Sequence, residues 1–274
     1  MKKLRCWRPA GLGLVSAFLL AASLSGDPLP AAVTGSASLG AFNRYVFRGY
    51  RLGRDSLVLE PSLAVSYRGF SATFWGNIDT RETATACFVP DRPGRKSFDE
   101  VDLTLSYARS VGKIGLTAGF IYYGTKFTAE TQELYVGASL DIPGRPTLTV
   151  FRDIDSYPGT YFLLSLAHSV PLKKKVTLDL GASAAYFSGS ADYWRTYLPS
   201  AGSYTGEKYR ALHDGMIKAG VTYSLGKSLG LQGGAQFTFP LSAAAARTVD
   251  GHSYNINGYL APVLVVGTTL TFGF

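Results

Sequence analysis

Apolar residues alternate with polar or small residues along most of this chain, and this alternation constrains the fold more than any other feature. In residues 101–107 the apolar side chains occupy every odd position, from Val101 to Tyr107, and Asp, Thr and Ser occupy the even positions. Residues 114–120, 134–140 and 176–183 repeat the pattern. A period of two residues is that of a β-strand with one apolar face. The sequence therefore predicts an all-β protein.

Alternation alone does not distinguish a soluble sheet from a membrane barrel, because both can pair an apolar face with a polar one. Aromatic residues favour the barrel, since they lie on the apolar face near predicted turns, where a membrane barrel carries its interfacial girdles. They are Tyr67, Tyr107, Tyr122, Tyr186 and Tyr223. Charged residues make up 17% of the chain, against about 25% in a typical soluble domain. These features predict an antiparallel transmembrane β-barrel.

The segments that alternate predict about twelve strands. We place them at residues 35–48, 57–68, 69–79, 97–109, 113–124, 131–141, 146–155, 160–170, 174–187, 212–224, 228–239 and 258–274. Short turns, as at 67–70 and 226–227, alternate with connections that include the long loops 80–96 and 188–211. Bacterial barrels have short periplasmic turns and longer outer loops. An even number of strands then puts both chain ends on the periplasmic side of the outer membrane.

The first 32 residues have the layout of a secretory signal peptide. Lys2, Lys3, Arg5 and Arg8 precede an uncharged, mostly apolar run at 11–24, and small residues follow before Val33. The run is shorter than the roughly 20 residues that a membrane-spanning helix needs. We therefore expect a cleaved signal peptide at 1–32 and a single barrel domain at 33–274, with an uncleaved N-terminal anchor as the alternative.

Charge and cysteine content narrow the possible ligands. Removing residues 1–32 takes away four of the 27 Lys and Arg and one of the 19 Asp and Glu, which leaves a scattered net charge near +5. No basic stripe indicates nucleic acid. Cys87 is the one cysteine left, which excludes an internal disulfide and a cysteine-based zinc site. With no P-loop or dinucleotide motif either, we expect no cofactor, no metal and no nucleic-acid partner.

The last predicted strand carries the sharpest local pattern. From Leu264 the even positions are apolar apart from Thr268 and end on Phe274, whereas Gly and Thr predominate at the odd positions. A terminal aromatic residue on an alternating strand resembles the signal by which outer-membrane proteins are assembled. We therefore expect Phe274 to act as an assembly signal, with the barrel-assembly machinery and outer-membrane lipid as partners. An ordinary last strand that ends in Phe is the alternative.

A short motif resembles a known family. Residues 43–49 read Asn-Arg-Tyr-Val-Phe-Arg-Gly, and the Y-V-F-R-G element at 45–49 is similar to one in the TorF family of porin-like proteins. Residues 133–137 and 159–172 look similar to later parts of that family, whereas Asn43 and the long loop 188–211 depart from its pattern. The resemblance implies a porin-like role in the outer membrane and no catalytic residues.

Charged residues within the strands should face the lumen, because a charge on the lipid face costs about 2–4 kcal/mol at mid-membrane. The alternation points Arg44, Arg48, Glu60, Asp79, Glu100, Asp102, Glu133, Asp153, Asp179, Asp214 and Lys218 inward. They either line a selective pore for small polar solutes or pair with one another and fill the interior. Because acids outnumber bases, we expect a mild preference for cations. We also expect Arg48 to pair with Glu60 and hold the first hairpin in register.

Two other functions stay open. A structural or adhesive surface barrel would use loops 80–96 and 188–211, which carry basic and aromatic residues such as Arg81 and Trp194. A lipid-active hydrolase would need a His near a Ser nucleophile. His168 and Ser169 are adjacent and point to opposite faces of their strand, which leaves His213 and His252 as candidate bases. We expect no enzyme activity.

Overall fold

A computed structural model describes residues 32–52, 56–82, 94, 96–126 and 128–274. Residues 1–31, nearly all of the predicted signal peptide, lie outside the described residues, as does Cys87. No helix in the described part of the chain is long and apolar enough to cross a membrane.

Twelve antiparallel strands form a closed barrel. In chain order the wall strands are β1 (Thr34–Phe42), β4 (Val58–Tyr67), β5 (Phe70–Asp79), β6 (Ser97–Val111), β7 (Ile114–Thr125), β8 (Thr131–Leu140), β9 (Thr147–Asp153), β10 (Gly159–Lys173), β11 (Val176–Gly189), β14 (Arg210–Ser224), β15 (Leu229–Pro240) and β18 (Val263–Gly273). Each pairs with its neighbours in the chain, and β1 pairs with β18 to close the wall. The predicted fold and number of strands are confirmed.

Short elements fill the connections at one end of the barrel. They are β2 (Val46–Phe47), β3 (Tyr50–Arg51), β12 (Arg195–Leu198), a 3-10 turn at Pro199–Ala201, β13 (Ser203–Lys208), α1 (Ala243–Ala246), β16 (Thr248–Val249) and β17 (His252–Ser253). The other end has only short turns and the two ends of the barrel segment, where Gly35 and Phe274 exchange backbone hydrogen bonds of 2.8 and 2.9 Å. We call these the loop end and the turn end.

The alternation in sequence corresponds to the two faces of the wall. In β6, Leu103 and Leu105 are 50% and 58% exposed on the outside. Asp102, which directly precedes Leu103, points the other way and is 1% exposed. The same alternation runs through β18, where Leu264, Val266, Leu270 and Phe272 face outward. An apolar outer face around a polar interior is the arrangement of a membrane barrel.

A β-bulge interrupts this alternation in β14. Ala184 of β11 pairs with Gly215, and Tyr186 pairs with Leu212, so His213 and Asp214 lie together opposite Ala185. An extra residue on one strand re-aims the side chains beside it. As a result His213 and Asp214 are both buried inside the barrel, whereas Leu212 is 55% exposed on its outside.

The predicted extent of the first strand is wrong. β1 ends at Phe42 instead of residue 48, and the chain then folds into the barrel interior. Residues 43–52, which we call the plug hairpin, contain β2 and β3 joined by Arg48 and Gly49. Both residues have positive φ, 42° and 79°, as the tight two-residue hairpin turns require. Gly49 is needed for space too, since a Cβ would lie 2.4 Å from Leu260.

Candidate functional site: the barrel interior

Arg48 spans the lumen from the tip of the plug hairpin to the opposite wall. Its two terminal nitrogens donate to Glu133 Oε1 and Oε2 of β8 at 2.8 and 2.7 Å, and Tyr123 donates to the same carboxylate at 2.8 Å. A bidentate Arg–carboxylate pair fixes both position and orientation. The expected pairing of Arg48 with Glu60 is wrong, because Arg48 no longer belongs to the strand beside Glu60.

Aromatic rings enclose the Arg48 guanidinium. Its central carbon lies 4.3 Å from the ring centre of Tyr161, 4.8 Å from that of Phe47 and 5.1 Å from that of Phe151. Cation–π contacts strengthen when they are shielded from water, and Arg48 is 6% exposed. The hairpin tip is therefore held by one ion pair within an aromatic pocket.

The sides of the plug hairpin pack against several parts of the wall. Tyr45 donates to Glu100 of β6 at 3.0 Å and its ring contacts that of Trp75. Val46 packs against Val263 and Val265 of β18. Tyr50 donates to Asn255 in the loop that precedes β18, at 3.2 Å. These contacts reach several strands around the barrel, so the hairpin crosses the lumen instead of lying along one side of it.

The connections before β14 and β18 add further side chains at the loop end. Trp194 and Tyr209 are 1% and 0% exposed and share a buried cluster with Phe187. His252 is stacked on Tyr197, with ring centres 4.7 Å apart. Lys208 forms an ion pair with Asp192 that lowers the pKa of this exposed carboxyl. Trp194 and Tyr209 belong to the same buried cluster as Tyr45 and Phe47, so these loops pack against the plug hairpin at the loop end.

The acidic residues predicted to face inward do so, and most of them accept hydrogen bonds from neighbours. Asp214 accepts from Tyr161 at 2.8 Å, and Asp79 accepts from the backbone of Arg81 at 2.8 Å. Asp153 accepts from Thr131 and from two backbone amides at 2.7–3.1 Å. Glu60 is 9% exposed on the inner face of β4.

Asp102 differs from the other inward acids. It is 1% exposed, and neither of its carboxylate oxygens accepts a hydrogen bond of regular geometry among the described residues, although the Glu100 carboxyl lies within hydrogen-bonding reach. Glu100 and Glu133 lie close enough to interact with it electrostatically. Of the basic residues, Arg48 is committed to Glu133, whereas Arg44 lies half-buried in the plug hairpin instead of on β1. The described loop half of the lumen is therefore rich in acidic groups.

The turn half of the lumen is polar and less crowded. Asp179 accepts hydrogen bonds from Ser169, Thr222 and Gln232 at 2.6, 2.6 and 3.1 Å. A cavity of about 110 Å³ lies beside this group, lined by Thr222, Gly230, Gln232 and Thr271. Lys218 lies on the same inner face, where its stem covers Gly181 and its charge interacts with Asp179. This half of the barrel is polar and has room for water molecules.

The candidate hydrolase residues are not brought together. His213 is 1% exposed, and Tyr209 lies 2.9 Å from its Nδ1. His213 lies within β14, where the bulge turns its side chain into the barrel interior. His252 lies at the loop surface, and His168 faces the lipid side while Ser169 bonds to Asp179 inside. Within the described ranges, no group of three His, Cys, Asp or Glu could hold a metal ion.

No protein-family model and no curated protein matches the sequence. Solved structures do match it. An outer membrane channel from Pseudomonas putida F1 is 9% identical, with 91% of this chain and 99% of that one covered and a TM-score of 0.51. The NanC porin is 9% identical, with 88% of this chain and 99% of the porin covered and a TM-score of 0.50. LpxR from Salmonella typhimurium is 10% identical, with 86% of this chain and 99% of LpxR covered and a TM-score of 0.45. The first two matches show that this chain has the fold of outer-membrane β-barrels, and the outer membrane is its location.

Proposed function

We propose that this barrel is a porin-like channel for passive passage of small polar solutes, obstructed at its loop end by the plug hairpin. The observation that carries the proposal is the Arg48–Glu133 pair. It holds the hairpin across a lumen whose turn half is lined by polar groups around Asp179 and Lys218. The plug hairpin belongs to a connection instead of a wall strand, so it can move without breaking the wall. Passage then follows its displacement, and no chemical step on a substrate is required.

The charges inside the barrel support a mild preference for cations. Glu60, Asp79, Glu100, Asp102, Glu133, Asp153, Asp179 and Asp214 face inward, against Arg48, Lys218 and the half-buried Arg44. Rings of acidic side chains favour cations in narrow pores. The preference should be mild, because Arg48 neutralises Glu133 and several acids are engaged by neutral donors.

The test is conductance in a planar bilayer, with Arg48→Ala as the variant. Removing Arg48 leaves Glu133 buried without its cation, which should cost the obstructed state about 3–5 kcal/mol. That corresponds to a shift of more than about 100-fold toward the open state. The matched control is Arg51→Ala, which removes the same charge from an exposed position of the same hairpin. We expect discrete, larger or more frequent openings for Arg48→Ala only.

Reversal potentials in a salt gradient test the selectivity in the same preparation. We expect a cation preference in the wild type. If Arg48 lines the path, Arg48→Ala should strengthen that preference. If it is only a structural lock, the variant should lose thermal stability with selectivity unaltered. An anion preference would show that the inward acids do not control the path, and equal conductance in all three proteins would refute obstruction by the hairpin.

We also propose kinship with the TorF family and recognition by the barrel-assembly machinery. The first is supported by the Y-V-F-R-G element, whose residues 45–49 form half of the plug hairpin, including its turn. The second is supported by the aromatic Phe274 on the outer face of the closing strand, where it is 59% exposed.

A structural or adhesive surface barrel is the second candidate, favoured by the packed loop end. Trp194 and Tyr209 pack against the plug hairpin at this end. Such a barrel would conduct in neither the wild type nor Arg48→Ala, although both would be folded and heat-modifiable. That result would favour this candidate over the channel.

A further inference from the structure

The turn end of the barrel carries a concentration of basic residues. Every one of its five turns contributes: Arg68 between β4 and β5, Lys113 between β6 and β7, and Arg145 between β8 and β9. Residues 173–175, all lysine, join β10 to β11, and Lys227 lies between β14 and β15. Asp141 is the one acidic side chain in these turns.

These residues encircle the barrel. The five turns occupy successive positions around the closed wall, and the sixth position is the seam where β1 meets β18. All of these basic residues except the half-buried Arg145 are exposed, and none takes part in an ion pair among the described residues. We call them the basic rim. It is a ring of cations that no acidic side chain neutralises through an ion pair in the described part of the chain.

An aromatic band lies directly beneath the basic rim on the outer face. Phe70 and Tyr223 are 64% and 43% exposed, and Phe274 stacks on Phe272 at the seam. The Arg68 guanidinium lies 5.2 Å from the ring centre of Tyr67. Exposed aromatic rings mark the depth of the membrane interface. The basic rim therefore lies at the level of the lipid headgroups on this side.

The loop end has a different charge pattern. There, basic and acidic residues are mixed, and cations such as Lys126 and Lys208 are paired with Glu82 and Asp192. In the described part of the loop end, acidic neighbours therefore offset the basic residues, whereas the turns of the turn end carry Asp141 alone against their basic residues. Short turns face the periplasm in bacterial barrels, so the rim meets the periplasmic leaflet.

We infer that the basic rim binds anionic phospholipids of the periplasmic leaflet. Basic clusters next to a membrane surface are attracted to anionic headgroups. A lipid phosphodiester is an acceptor for Arg and Lys at the depth where the rim lies, and the aromatic band beneath it contacts the upper acyl chains. The inference concerns the outer surface of the wall and is independent of whether the lumen conducts.

The test compares spin-labelled phosphatidylglycerol with spin-labelled phosphatidylcholine by electron paramagnetic resonance. The protein is reconstituted into phosphatidylcholine vesicles, and the association constant at the barrel surface is measured for each lipid. The test variant changes Lys173, Lys174 and Lys175 to Gln. The matched control changes Lys96, Arg210 and Arg247 to Gln, which removes the same charge from exposed positions at the loop end.

We expect the wild type and the loop-end control to prefer phosphatidylglycerol, and the turn-end variant to lose at least about fivefold of that preference. Raising the salt concentration should weaken the wild-type preference, because exposed charges are screened. No wild-type preference, or an equal loss in both triple variants, would overturn the inference. If the turn-end variant does not assemble, the wild-type preference and its salt dependence still decide the question.

Discussion

Asp102 and Glu133 show how differently two buried carboxylates can be treated by the same barrel. Both are 1% exposed, and they lie close enough to interact electrostatically. Glu133 receives both nitrogens of Arg48 and the hydroxyl of Tyr123. Asp102 accepts no hydrogen bond of regular geometry among the described residues. A buried polar group without partners costs free energy, whereas a paired one is costly to disrupt.

The two acids should therefore respond oppositely to neutral substitution. Glu133→Gln removes the carboxylate that holds Arg48 and should destabilise the barrel by about 3–5 kcal/mol. Asp102→Asn removes a charge that accepts no such hydrogen bond and should leave stability equal or raise it. The measurement is the midpoint temperature of unfolding, with the gel shift of the heat-modifiable barrel as the readout of the folded fraction. A larger loss for Asp102→Asn than for Glu133→Gln would contradict this assignment.

The sequence correctly indicated which acids face inward but not what they bind. Alternation gives the facing of Glu133 from its own strand, since neighbouring residues on β8 point outward. The partner of Glu133 lies 85 positions away on a segment that leaves the wall, and no period within β8 specifies it. Arg48 was expected to lock the first hairpin. Arg48 does hold the hairpin in place through an ion pair, but the partner is Glu133 of β8 instead of Glu60.

At the scale of elements, alternation located all twelve wall strands but not the places where the chain leaves the wall. Residues 43–52 were taken as strand and loop, yet Val46 and Phe47 are both buried because the plug hairpin is surrounded on several sides. A segment enclosed in this way has no outer face, so apolar and polar residues need not alternate in it and a period of two cannot predict its structure. The bulge at His213 and Asp214 was not predicted from the sequence either, because it depends on how β14 pairs with Ala185 of β11 and not on the types of the residues involved.

Adjacent positions of one strand should tolerate charge very differently. Leu63 is 46% exposed on the outer face in the middle of β4, whereas Ala64 faces the lumen opposite Ser36 and Thr73. Leu63→Arg should destabilise the inserted barrel by about 2–4 kcal/mol, and Ala64→Arg should cost much less. Denaturant titration in lipid vesicles measures both values. Similar losses would contradict the assignment of the two faces.

At the scale of the whole molecule, the barrel depends on a seam between its first and last strands. β1 and β18 pair over seven residue pairs, although more than 220 positions separate them. Phe274 exchanges backbone hydrogen bonds with Gly35, and its ring covers that glycine so closely that a Cβ there would lie 2.5 Å from it. The last aromatic residue is therefore part of the closure as well as of the outer aromatic band.

Replacing Phe274 by Ser should lower the amount of assembled barrel in the outer membrane and leave export to the periplasm intact. The substitution removes an apolar ring from the seam, and that ring lies at the end of the strand that we propose is recognised during assembly. Phe237→Ser is the control, because it removes an outward-facing aromatic ring from β15, which does not pair with β1 and places Phe237 opposite Leu264, outside the paired part of the seam. Fractionation followed by gel shift measures both. Normal levels of Phe274→Ser, or equal losses in the two variants, would contradict a special role for Phe274.

The position of the plug hairpin also limits the directions in which it can move. Every wall strand is hydrogen-bonded on both sides, so the hairpin has no sideways exit into the lipid. Its two ends are tethered to β1 and β4 at the same end of the barrel. Displacement must therefore run along the barrel axis, outward past the loops or inward toward the turn half. A solute arriving from the cell exterior would press the hairpin deeper, whereas one arriving from the periplasm would press it out, so the two directions of transit are mechanically inequivalent.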